Sequence, residues 1–125
     1  MRDFIFFTNR KITAEECFEA LKKEIQYVET NGTDIWMGAK FKSFLTHSDD
    51  GIDDFIFDSP EDLEEFKKRV PIQNPYITDF EAHRSIDAKR VINVLMKIYP
   101  ELYVNVQDDD WWGTAQEYLD TEFDY

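Results

Sequence analysis

The stretch Phe4-Ile5-Phe6-Phe7-Thr8-Asn9-Arg10-Lys11-Ile12-Thr13-Ala14-Glu15-Glu16-Cys17-Phe18 decides the fold class. Its first five residues read as a buried strand. The polar triplet Asn9-Arg10-Lys11 turns the chain out of it. Thr13 with Glu16 three residues on is the capping-box pattern of a helix N-terminus. From there Ala14, Cys17, Phe18, Leu21, Ile25 and Val28 recur at the spacing of one amphipathic stripe. Asn31-Gly32 is expected to end that helix, glycine suiting a left-handed C-cap.

The same signals continue along the chain. Ile35–Met37 and Lys40–Thr46 read as strands, with a bulge or kink at Gly38-Ala39. Ser48-Asp49-Asp50-Gly51 is a turn, and Ile52–Phe57 is the return strand of a hairpin. Ser59-Pro60 opens a second helix with Ser59 as its N-cap. Its acidic start and its basic end, Lys67-Lys68-Arg69, complement the helix dipole. Pro71 follows. Tyr76–His83 alternates as a strand, and Ser85 or Asp87 is expected to cap a third, largely apolar helix running through Tyr99. Leu102–Val106 is a last strand, Asp108-Asp109-Asp110 a turn, and Thr114–Thr121 a short helix. The order predicts one α+β domain over residues 1–125, with helices packed on a mixed or antiparallel sheet.

Composition narrows the function. The net charge is -13, from 27 acids and 14 bases. Ser43–Phe66 and Ile98–Tyr125 contain no Lys or Arg and carry the whole excess of acid. Such a charge repels nucleic acid and anionic membranes and favours encounter with a basic protein. Eleven Phe and a 16% aromatic content argue against disorder. A single cysteine, Cys17, permits no internal disulfide and fits a reducing compartment. No apolar run has the length of a signal peptide core or of a membrane span. The expectation is a cytoplasmic protein.

No GxSxG, P-loop or dinucleotide fingerprint is present, and no cofactor is expected. Cys17 lies on an apolar helix stripe and reads as core. Asp79, Glu81 and His83 alternate along a strand, so they share one face; acid–base or metal chemistry competes there with a plain solvated surface. Asp108-x-Asp110-x-x-Gly113 imitates a calcium loop but lacks the closing glutamate, since Leu119 stands there. The most distinctive stretch is Asp108-Asp109-Asp110-Trp111-Trp112-Gly113. Adjacent tryptophans beside acids suit a binding hot spot, where one arginine can stack on an indole while pairing with an aspartate. Two adjacent tryptophans cannot both face one core unless the loop folds back; the competing reading is that both rings cover the sheet edge or the open end of the core. Asp49, Asp50, Asp53 and Asp54 form an acidic hairpin tip, either a solvated loop or a contact for a basic cleft.

In size, charge pattern and clustering of acids with aromatics, the chain resembles bacterial immunity proteins of the contact-dependent inhibition and polymorphic-toxin kind. The resemblance implies a one-to-one inhibitor of a basic toxin, often a nuclease, and transfers no particular residue. The contacts expected from the residues themselves are Asp49, Asp50, Asp53, Asp54, Asp109, Asp110, Trp111 and Trp112. The alternatives are a small enzyme or metal protein built on Asp79, Glu81 and His83, and a homo-oligomeric module that pairs its aromatics.

Overall fold

Both faces of the first strand are buried, and this property organises the molecule. In the computed structural model the described residues are 2–38, 43–46, 59–72 and 75–123, with backbone alone for 43–46. Strand β1 (Arg2–Thr8) sits inside a seven-stranded sheet of order β2-β3-β4-β5-β1-β6-β7. The other strands are β2 (Val28–Thr30), β3 (Asp34–Met37), β4 (Ser43–Thr46), β5 (Tyr76–Ala82), β6 (Tyr103–Val106) and β7 (Trp111–Thr114). Every neighbouring pair is antiparallel. Side chains alternate across a strand, so Phe4 and Phe6 enter one core while Ile5 and Phe7 enter another. A strand covered on both sides has no polar positions to alternate with, hence the unbroken apolar run.

The larger core lies beneath three helices, α1 (Ala14–Glu24), α3 (Ser85–Ile98) and α4 (Ala115–Leu119). Helix α2 (Pro60–Arg69) packs on the opposite face, where Phe66 and Val70 meet Ile5, Phe7 and Ile77. The result is a single α+β domain in three layers. Burying each of these large side chains contributes roughly 1.5–3 kcal/mol. The ring pairs Phe4–Phe80 and Phe6–Phe80, at 5.3 and 5.2 Å, tie β1 to β5 within the larger core.

The caps expected of α1 and α2 form. Thr13 Oγ1 accepts from the Glu16 N–H at 3.2 Å, and Ser59 Oγ from the Asp62 N–H at 3.2 Å. Helix α1 is shorter than its apolar stripe, however. It stops at Glu24, and Ile25 closes it by donating its N–H to the Leu21 carbonyl at 2.8 Å. Tyr27 then takes a left-handed φ of 59° and turns the chain into β2. Val28 belongs to that strand, and Asn31-Gly32 is the turn of the β2–β3 hairpin rather than a helix cap. Asn31 Oδ1 accepts from the Thr33 and Asp34 N–H groups at 2.9 and 2.7 Å, and Gly32 supplies the positive φ of 95°.

Helix α3 also differs at its start. Arg84 is the N-cap and makes no side-chain cap bond, while Ser85 is already helical and buried. Asp87 pairs with Arg84 at 3.6 Å. The two-residue link His83-Arg84 brings the chain straight from β5 into the helix. The expected return strand Ile52–Phe57 lies outside the described residues.

The largest departure is β7. The stretch after Asp110 is a strand, paired in register with β6. Adjacent tryptophans therefore point to opposite faces. Trp111 joins the larger core against Tyr118 and Phe123, and Trp112 joins the smaller one against Phe7 and Phe66. A sheet with a core on each face accommodates both rings half-buried without any folded-back loop. Thr114 ends the strand and caps α4 in a full capping box with Glu117, at 2.9 and 3.1 Å.

Candidate partner-binding face

The acidic turn after β6 docks against the beginning of β1. Gln107–Asp109 makes one 3-10 turn, and Asp110 follows with a left-handed φ of 49°. Asp108 Oδ2 accepts from the Asp3 N–H at 3.1 Å. Asp109 faces the Arg2 guanidinium at 3.6 Å. The strand register then adds acids from a third segment: Asp3 is paired with Glu81, and Ile5 with Asp79. On the α2 side of the sheet, Asp3, Asp79 and Glu81 thus follow the apolar patch formed by Ile5, Phe7, Ile77 and Trp112. Partial burial, and secondarily the charge of Asp3, raises the Asp79 carboxyl above its ordinary pKa. Asp110 reaches the same face through Trp112 and Arg69, while Asp108 and Asp109 border the start of β1; among the described residues Arg2 pairs with Asp109 and Arg69 with Asp110. Like charges facing one another across strands are unfavourable to the fold.

Around Trp112 the geometry is tighter. Its indole N–H donates to Asp110 Oδ1 at 3.2 Å. Phe7 lies nearly parallel to the indole at 5.9 Å, and Phe66 meets it edge-on at 6.0 Å. The guanidinium of Arg69, at the end of α2, lies 5.4 Å from the indole centroid and 3.9 Å from Asp110 Oδ1. Its Nε also bonds Glu65 Oε1 at 3.1 Å. The arginine-on-indole arrangement expected of a partner is thus made within the chain itself.

Of the residues expected at the site, Asp110 and Trp112 are brought together, while Asp109 turns to Arg2. Trp111 is one strand position away but faces the other core. Asp49, Asp50, Asp53 and Asp54 lie outside the described residues. Asp3 and Arg69 escaped the sequence reading. Nothing local marks Asp3, which enters through strand pairing, whereas the basic end of α2 reads in the sequence as a complement to the helix dipole.

The other chemical candidates are less organised. His83 lies beyond the end of β5 and is exposed, away from the alternation that aligns Asp79 with Glu81. Among the described residues no three His, Cys, Asp or Glu side chains are grouped to hold a metal ion. Cys17 is fully buried, its Sγ 4.0 Å from the Tyr99 hydroxyl. Burial pushes its thiol up to about 12, so it stays protonated at neutral pH and is a poor nucleophile. Among the described residues no helix is long and apolar enough to cross a membrane.

Comparison of the chain with protein-family models, with curated proteins and with solved structures found no match.

Proposed function

We propose that this chain is a cytoplasmic, acidic binding protein that neutralises a cognate basic toxin domain of the nuclease kind, by occluding its active site or its substrate surface. One observation carries the reading. Acids far apart in sequence (Asp3, then Asp79 and Glu81, then Asp110) reach the α2 face of the sheet, where burial and the nearby charge of Asp3 hold the Asp79 carboxyl above its ordinary pKa. A basic partner offsets the repulsion between these acids, and the summed field speeds encounter. A nuclease fits because its own cleft is built to receive phosphates, whose charge carboxylates imitate.

The test begins with affinity capture from the source cell, or with the protein encoded immediately upstream, at low and then high salt. The captured protein is then assayed for nuclease activity against increasing amounts of this chain. The expected result is one basic partner, released by salt, whose activity falls to background at one equivalent. Failure to capture a basic partner, or a partner whose activity is untouched at saturation, would overturn the proposal.

A further inference from the structure

Arg69 shows what the Trp112–Asp110 pair can hold. We propose that these two residues form a cradle for one arginine side chain of the basic partner. Arg69 occupies the cradle in the free protein and yields it on docking. This rests on the toxin-neutralising reading and names how that partner would be recognised.

Three features carry the inference. First, the cradle has the two elements that select a guanidinium. One is an indole ring, fixed by Phe7 and Phe66. The other is a carboxylate tied to that ring's edge by the indole N–H. A planar guanidinium can lie over the ring and pair sideways with the acid, whereas an ammonium is a compact, strongly hydrated charge. Second, the present occupant is loosely held. The Arg69–Asp110 separation is 3.9 Å, and the Asp110 side chain is 86% exposed. An incoming arginine therefore has open access to the carboxylate. Third, Arg69 has somewhere to go. Its Nε already bonds Glu65 one helical turn back, so leaving the indole does not strand its charge. Exchange of one guanidinium for another is close to balanced, and Arg69 acts as a competitor that moderates affinity.

The probe is N-acetyl-arginine methylamide, with the lysine analogue as control. Each is titrated into the full chain while the Trp112 indole N–H resonance is followed by NMR. Arg69→Ala should bind the arginine probe more tightly than wild type, by about fivefold, the scale of one partly solvated cation–π contact. The lysine probe should bind more weakly than the arginine probe. Adding Asp110→Asn to Arg69→Ala should abolish the gain. Phe66 and Val70 anchor α2 in the core, so the variant should fold. Arg69→Met, which keeps the aliphatic stem, replaces it if truncation loosens the helix. Equal probe affinity in wild type and both Arg69 variants, or a gain that survives Asp110→Asn, would overturn the cradle. Neither result depends on the partner, so failure here and failure of the capture experiment remain distinct.

Discussion

Asp79 occupies a position where the fold works against its own charge. Partial burial on the sheet face and the nearby Asp3 raise its carboxyl above the ordinary value of about 3.9. The folded state therefore holds the proton more tightly than the unfolded chain does. Stability falls as pH rises from the ordinary carboxylate value through the raised one, and stays lower above it. Asp79→Asn removes that cost. The variant should melt above wild type at pH 7, and the gap should close as pH approaches 3. Paired thermal melts at both pH values check this, and a variant that melts below wild type at pH 7 would contradict it. Trp112 raises a different problem at the same scale. It packs on Phe7 and Phe66, and deleting a large aromatic from a core costs on the order of 3 kcal/mol. Trp112→Ala therefore confounds binding with folding, and the exposed Asp110 is the cleaner position to probe.

At the scale of elements, β7 holds the most consequential contact. Trp111 folds its ring over Gly113, and a Cβ built there would stand 2.6 Å from Trp111 Cη2. That ring is wedged edge-on against Tyr118 and Phe123. It cannot swing aside like the end of a flexible chain. Gly113→Ala should cost about 1–3 kcal/mol of stability, the usual range for overpacking. The loss should appear as a lower melting temperature together with a changed near-ultraviolet tryptophan signal, and an unaltered melt would count against the packing described. This strand also shows what local sequence can convey. Strand β1, the caps at Thr13 and Ser59, and the burial of Cys17 were legible because each depends on residues a few positions apart. Strands β2 and β7 were not, because short edge strands carry little alternation of their own. Val28 satisfied the helical stripe as well as it satisfies a strand. Asn31-Gly32 suits a helix end and a hairpin turn equally. The tryptophan pair carries no strand signal of its own, because each ring belongs to a different core. The acidic face was legible only as an imbalance, because Asp3, Asp79 and Asp108 meet through strand order.

For the whole molecule, the question is whether a net charge of -13 does more than keep the protein dissolved. Charge spread for solubility alone would not need to oppose folding. Here strand pairing sets Asp3 opposite Glu81 and near Asp79, and Asp110 joins them from the turn after β6, so their field adds on one face. Steering of this kind accelerates association by about 10 to 1,000-fold and is screened by salt, with a Debye length of about 8 Å at physiological ionic strength. The association rate with the proposed basic partner should therefore fall as salt rises from about 50 mM to about 500 mM, while dissociation changes far less. Asp3→Asn combined with Glu81→Gln should slow association and flatten that dependence. Dissociation should answer instead to the Trp112–Asp110 cradle, because short-range contacts govern the lifetime of a complex. Stopped-flow mixing across the salt series separates the two rates. An association rate indifferent to salt would leave the gathered acids without a role in encounter, and the cost they impose on the fold would need another explanation.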